Sequence, residues 1–168
     1  LMKLKSGSDI RGTAVETDIE KIQLTDEVVR SVCTAFVRWY KAKFKCKDFR
    51  IAVGHDSRIS ADRIRKAAVS AFCAEGLCAT PAMFMAIVSD IQVSASLEIT
   101  ASHHPFQKNG LKFFTPNGGL EGYEVEEILN LAYDIAPGSG NGKIQNYDFM
   151  SAYSAHLRNI IKNSVNSG

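Results

Sequence analysis

From Thr25 onward the apolar positions Val28, Val29, Val32, Phe36, Trp39, Tyr40 and Phe44 recur three or four residues apart, the spacing of one helix face, with Thr25 placed as a hydroxyl N-cap. Arg38, Lys41, Lys43 and Lys45 in its last turns suit the negative end of the helix dipole. A stripe of small residues, Ile64, Ala67, Ala68, Ala71 and Phe72, predicts a second helix from Asp62 to Glu75, capped by Ser60 and stopped by Gly76. Pro81 opens a third through Met83, Phe84, Ile87 and Val88. Glu121 to Tyr133 reads as an acidic amphipathic helix, and Asp148 to Val165 repeats the helical spacing with Phe149, Tyr153, Leu157, Ile160 and Ile161.

Short apolar runs at Phe49 to Gly54, Leu77 to Thr80, Ala95 to Thr100 and Gly110 to Phe114 read as strands. In the last of these the two-residue repeat puts Lys112 on the face of Phe114, away from Leu111 and Phe113. Strand and helix alternate between Phe49 and Phe114, which predicts an α/β fold: a three-layer α/β/α domain with a mixed, mainly parallel sheet of about four or five strands. The run Pro137-Gly-Ser-Gly-Asn-Gly142 is the clearest linker. We therefore expect a domain over residues 1–145 and a connecting helix over 146–168.

Composition narrows the class. A chain of 168 residues, 45% hydrophobic and 23% charged, suits one domain with its own core. The net charge of +2 comes from balanced acids and bases without a basic stripe, so nucleic acid is not an expected partner. Small anionic substrates remain. Cys33, Cys46, Cys73 and Cys78 lack CxxC spacing and read as reduced thiols. No apolar run reaches the ~20 residues of a membrane span, and no signal-peptide core is evident. We expect a soluble cytoplasmic protein with no membrane partner, or an organellar one, such as a plastid protein, if a transit peptide preceded Leu1.

The chemistry concentrates in Thr100-Ala-Ser102-His103-His104-Pro105 and the following Asn109-Gly-Leu-Lys112: a hydroxyl, two imidazoles and an ammonium on a stiff loop at a strand end. Two earlier stretches accompany it. Ser6-Gly-Ser8-Asp-Ile-Arg11-Gly12 surrounds one guanidinium with glycines and small polar groups, as an anion-binding loop or a solvated turn would. His55-Asp-Ser-Arg58 follows a strand, so His55 and Arg58 either face a ligand or Arg58 pairs with Asp56 to stiffen the loop.

Together Ser6-Gly-Ser-Asp-Ile-Arg-Gly12, Val53-Gly-His-Asp-Ser-Arg58 and Thr-Ala-Ser102-His-His-Pro with Asn-Gly-Leu-Lys112 resemble the N-terminal domain of the α-D-phosphohexomutase superfamily. The resemblance implies that Ser102 is carried as a phosphoserine. It would exchange its phosphoryl group with a hexose phosphate through a bisphosphorylated sugar, so that phosphate moves between C1 and C6. It further implies that the Ser102 phosphate is one ligand of Mg²⁺, that Arg11 and Lys112 assist proton transfer or stabilise charge, and that His103 is the family's loop histidine. Ser8, Arg58, His104 and Asn109 are then candidates for the surroundings of the phosphate, and a glucose 1,6-bisphosphate-type compound is the expected activator.

The family's second domain supplies an Asp-x-Asp-x-Asp metal loop, and its third and fourth domains hold the sugar and the distal phosphate. None of these is found in this sequence. The missing domains 2–4 are the expected partners beside hexose phosphates, and this chain alone is expected to bind Mg²⁺ weakly and to be inactive. His104 stands where the family usually has Asn, and Ser6 and Ser8 replace the commoner Phe or Thr. Asp-Ile-Arg-Gly leans toward phosphomannomutases and Gly-Leu-Lys-Phe-Phe toward phosphoglucosamine mutases. The alternatives are a non-catalytic regulatory or binding paralogue on the same scaffold and a Ser-His hydrolase, the latter lacking a Gly-x-Ser-x-Gly elbow.

Overall fold

The computed structural model describes residues 1–75, 77–80, 93–136, 142–146 and 149–165. The helix expected from Pro81 through Val88, the stop at Gly76 and the linker from 137 to 141 lie outside the described residues.

Helix α1 (Asp26–Phe44) begins where expected: the Thr25 hydroxyl accepts the Val28 N–H at 3.2 Å, and Asp26 and Glu27 occupy the first turn. It ends at Lys45, whose φ of +50° closes the last turn. Helices α2 (Ala61–Glu75), α3 (Gly122–Tyr133) and α4 (Phe149–Val165) also follow their stripes. At the start of α3 the Glu121 side chain accepts from the Glu124 backbone while the Glu124 carboxylate accepts the Glu121 N–H at 2.7 Å, a reciprocal cap. From Ser154 onward the α4 side chains are exposed.

Eight strands form one sheet: β1 (Lys5–Ser6), β2 (Asp9–Thr13), β3 (Arg50–His55), β4 (Leu77–Thr80), β5 (Ala95–Ile99), β6 (Lys108–Thr115), β7 (Gly118–Gly119) and β8 (Ile144–Asn146). Their spatial order is β1-β2-β6-β5-β3-β4-β8, with β7 beside β6. The sheet is mixed, as expected. Its parallel half, β5-β3-β4-β8, is the half built by strand and helix alternation, and the other half is antiparallel. The reason lies in chain length: residues 100 to 107 between β5 and β6 are too few for the dozen or so that a parallel crossover needs.

The extra strands are short or glycine-rich. Asp9-Ile-Arg-Gly-Thr13, read from sequence as part of a loop, is β2, paired with β6 as Ile10↔Leu111, Arg11↔Gly110 and Gly12↔Asn109. Gly7 turns the chain from β1 into it at φ +61°, a conformation open to glycine without strain.

The register sorts side chains into two faces. Ile10, Leu111, Phe113, Leu97, Ile99, Ile51 and Val53 align on one face and join α1, α2 and α3 in a single apolar cluster. Phe36 of α1 stacks on Phe113 with ring centroids 4.1 Å apart. At roughly 1.5–3 kcal/mol for each large apolar side chain taken out of water, this face dominates the stability. The expected role of the basic end of α1 is structural, and the ion pair of Lys43 with Glu124, made beneath the Trp39 ring, ties α1 to α3. Cys33, Cys46 and Cys73 are unbridged thiols.

Candidate functional site

The opposite face of β2, β6 and β5 is where the polar residues of the three motifs meet. Asp9 and Arg11 alternate with Ile10, Lys112 lies opposite Glu98, and Gly110 lies opposite Arg11. Asp9 is 6% exposed, and its Oδ2 accepts from Arg11 Nη2 at 2.7 Å. Its Oδ1 is buried without a hydrogen-bond partner, 3.9 Å from Lys112 Nζ. Lys112 also lies over the Phe114 ring, 5.6 Å from its centroid, as the two-residue repeat predicts. Glu98 is half-buried, and burial pushes its carboxyl above the usual range, against the opposing pull of Lys112. The row Arg11, Asp9, Lys112, Glu98 thus runs across three strands with alternating charge.

Gly110 has a specific reason to be glycine. A Cβ there would stand 2.8 Å from the backbone oxygens of Ile10 and Thr100 and 2.9 Å from Arg11 Cγ. The missing side chain leaves room for Arg11 to lie over β6 toward the end of β5.

At that end the nucleophile loop leaves the sheet. Thr100 still bonds β6 through its N–H to Gly110 O at 3.2 Å, and its hydroxyl both accepts the Ser102 N–H at 3.0 Å and donates to Asp56 Oδ2 at 2.7 Å. This side-chain turn brings Ser102, fully in solvent, to φ +56°. A residue with a Cβ pays about 1–2 kcal/mol to sit there. Such strain persists only where the surroundings over-determine it.

The surroundings are provided by Arg58. Its side chain is 13% exposed and bonds Asp56 together with four backbone carbonyls of the loop, those of Ser102, His104, Pro105 and Lys108. Of the two readings left open by the sequence, the Asp56–Arg58 pair is present, Nε to Oδ2 at 3.2 Å. His55 is exposed, its Nδ1 2.7 Å from the carbonyl of Asp56.

His103 Nδ1 stands 3.4 Å from Ser102 Oγ, at the long edge of a hydrogen bond, and its ring stacks on His104 at 5.2 Å. A hydrolytic dyad calls for a carboxylate orienting the imidazole, and a second imidazole stands against this one. The His104 ring is held below the ordinary histidine range by loss of solvent and by the cations Arg11, His103, Arg58 and Lys108. An open cavity of about 270 Å³ beside it is lined by Lys3, Lys5, Arg11, His104 and Lys108 among others.

Two candidates sit elsewhere than their expected place. Asn109 is fully buried: its amide donates to Ser60 Oγ at 2.9 Å and its oxygen accepts the Gly110 N–H at 2.8 Å, tying β6 to the start of α2. It has no face toward a phosphate. Ser8 is exposed in the β1–β2 turn. Conversely, Glu98 and Asp9 were given no role from sequence. The signal for Glu98 was a carboxylate between two core residues, Leu97 and Ile99, but its partner depends on a strand register that sequence does not state.

The donor set does not amount to a metal centre: among the described residues no group of three or more His, Cys, Asp or Glu side chains is placed to hold an ion. The buried orphan, Asp9 Oδ1, lies beside Arg11 and Lys112, a place already served by cations.

Comparison with known proteins follows the same lines. The pattern described as phosphoglucomutase/phosphomannomutase, alpha/beta/alpha domain I, matches residues 2–135. A phosphoglucosamine mutase of Leuconostoc mesenteroides is 32% identical over 69% of the chain and 29% of its own length. One from Helicobacter acinonychis is 28% identical over 98% of the chain and 39% of its own length. The chain thus spans well under half of these relatives. Among solved structures, a phosphoglucomutase/phosphomannomutase family protein of Burkholderia thailandensis superposes with a TM-score of 0.74, at 22% identity, over 91% of the chain and 34% of that protein. The phosphomannomutase-titled structure from Thermus thermophilus gives 0.72 at 20% identity, over 91% of the chain and 35% of its own. These two likenesses bear on the fold.

Proposed function

The chain belongs to the phosphoglucomutase/phosphomannomutase family as its α/β/α domain I, and from that premise we propose that Ser102 is the phosphoryl carrier of a hexose-phosphate mutase. The observation that carries the reading is Ser102 itself, exposed at φ +56° at the edge of the face that bears Arg11 and Lys112. In the proposed step the Ser102 oxygen attacks one phosphorus of a bisphosphorylated sugar. The O–P bond to the sugar breaks as the serine O–P bond forms, and the serine proton passes to a nearby base. The reverse step then returns the phosphoryl group to the other hydroxyl of the reoriented monophosphate.

Phosphoryl transfer asks chiefly for positioning and for charge on the equatorial oxygens to be stabilised. Arg11 answers the second demand with a guanidinium already oriented by Asp9. Lys112 answers it with an ammonium that has no tighter ion-pair contact among the described residues than 3.9 Å, to Asp9. A phosphoserine carries about −1.5 to −2 charges, and the cations beside it lessen its repulsion of an incoming phosphate. His104, kept neutral at neutral pH by the same cations, adds no charge of its own.

Mg²⁺ is a hard ion that takes near-octahedral oxygen coordination, and the donors described here do not supply it. We propose that this chain contributes a single ligand, a phosphate oxygen on Ser102, binds the ion weakly and does not turn over substrate by itself. The names of the relatives favour hexosamine phosphates as the substrate pair. Among the described residues no helix is long and apolar enough to cross a membrane.

Intact-mass spectrometry before and after incubation with glucose 1,6-bisphosphate tests the carrier. The expected product is one phosphoryl adduct, mapped to Ser102 and absent from Ser102→Ala. An adduct on another residue, or labelling of Ser102 by a fluorophosphonate probe, would overturn the reading. A coupled assay with glucose 1-phosphate and the bisphosphate should give no turnover, and enzyme-like rates would refute the inactivity of the chain.

A further inference from the structure

The hydrogen bonds of Arg58 account for its whole donor capacity. A guanidinium has five N–H donors in one plane. Nε–H goes to Asp56 Oδ2 at 3.2 Å, Nη1 to the carbonyls of Pro105 at 2.8 Å and Lys108 at 3.1 Å, and Nη2 to those of Ser102 at 2.7 Å and His104 at 2.8 Å. Five donors meet five acceptors. The Arg58 backbone N–H fixes the other oxygen of Asp56 at 3.0 Å, and Oδ2 also holds the Thr100 hydroxyl. Nothing is left to offer a phosphate.

We propose that Arg58 is a positioning residue, the plug around which the Ser102 loop is moulded, and that it is not a phosphate ligand. The statement rests on Ser102 being the phosphoryl carrier for its functional weight, though not for its geometry. Four carbonyls from seven residues converge on one point, and without a cation their dipoles would repel and each would lose a partner in a partly buried place. A planar fork satisfies all four at once, whereas an ammonium is a point charge with three donors.

The arrangement has a consequence for the nucleophile. Every peptide bond described is trans, so turning the Ser102 carbonyl toward Arg58 turns the His103 N–H away from it. That N–H lies on the solvent side, where an anion carried on Ser102 would meet it, as in other concavities built from backbone amides. Arg58 therefore acts on a phosphate through the backbone, and Asp56 and Thr100 act with it by holding the two ends of the loop.

The test is nuclear magnetic resonance on the chain, with Arg58→Lys and Arg58→Gln beside wild type. The readouts are the amide shifts of residues 100–108, the HN–Hα coupling and Cα shift that report positive φ at Ser102, and the Arg58 Nε–H signal during titration with inorganic phosphate. The expected result is loss of the positive-φ signature in both variants, with shift changes several-fold larger in 100–108 than in the other strands. In wild type the Nε–H signal stays in place as phosphate is added. Guanidinium ion at non-denaturing concentration should restore the loop signals in Arg58→Gly.

Ser102 keeping its signature in Arg58→Lys, or an Nε–H signal that moves with phosphate, would overturn the assignment. Should Arg58→Gln fail to fold, Arg58→Lys and the rescue decide by the same criterion. No phosphoryl donor enters these measurements, so failure here and failure of Ser102 to accept a phosphoryl group are separate results.

Discussion

Ile10, Leu111, Phe113, Leu97 and Ile99 on one face of β2, β6 and β5, and Asp9, Arg11, Lys112 and Glu98 on the other, are next-door neighbours in sequence. The first set meets the helices and is sealed from water. The second keeps partial exposure for Arg11, Lys112 and Glu98 and leaves Asp9 Oδ1 without a partner. Non-directional packing holds the apolar face, so it tolerates small shifts. On the polar face and its loop, directional bonds hold each group, so a small shift there costs geometry before it costs stability. The comparison predicts that stability and site geometry can be broken separately.

The largest effect is expected on the apolar face. Phe113→Ala removes a ring that is 1% exposed and stacked on Phe36, and should destabilise the chain by about 3–5 kcal/mol. Urea unfolding measures it. Short of the transition, the 100–108 amide pattern of the folded fraction should stay that of wild type. A cost below about 1 kcal/mol would mean that the face is not the dominant source of stability.

Gly110→Ala comes next and strikes both faces. Its Cβ would overlap two backbone oxygens and the Arg11 side chain, and relief by backbone shift should cost about 2–3 kcal/mol. Arg11 and Asp9 signals should move with it. Wild-type stability would show that β2 and β6 lie farther apart than described.

Thr100→Val keeps the shape and removes a hydroxyl that links Ser102 N–H to Asp56. The loss should be about 1–2 kcal/mol, with accelerated amide exchange at Ser102 and little change in the helices. Exchange that rises equally in α1 would show that the loop does not behave as a separate unit.

These residues also show where sequence suffices. Val29, Val32, Phe36 and Tyr40 announced α1 by spacing alone, because helix periodicity is local. The Ser102 loop was legible as a strand end followed by hydroxyl and imidazole groups, and Lys112 was correctly placed beside Phe114. Arg11 was noticed, but its strand was not: β2 takes its partners from β6, almost a hundred residues later, and two of its five residues flank or face glycines that weaken any strand signal. Asn109 misled because a buried amide and a ligand-facing one look alike in sequence, and only the 2.9 Å bond to Ser60 separates them. Arg58 stayed undecided for a related reason. The four carbonyls that consume its donors belong to backbone, which leaves no mark in the identity of the residues that carry it.

The smallest expected effect has the opposite sign and isolates the strain in the nucleophile loop. Ser102 has φ +56°, which costs a residue bearing a Cβ about 1–2 kcal/mol relative to glycine. Ser102→Gly removes that cost but adds about 0.5–1 kcal/mol of chain entropy lost on folding, so the net should be a stabilisation of about 0.5 kcal/mol, read as a higher urea midpoint with an unchanged slope. The side chain is in solvent and its contact with His103 is long, so little favourable interaction is lost in the exchange. In an Arg58→Lys background the gain should shrink, since a loop freed of its plug no longer holds residue 102 at positive φ. Equal gains in the two backgrounds would show that Arg58 and the strained backbone are independent, and unequal ones that the guanidinium maintains the strain.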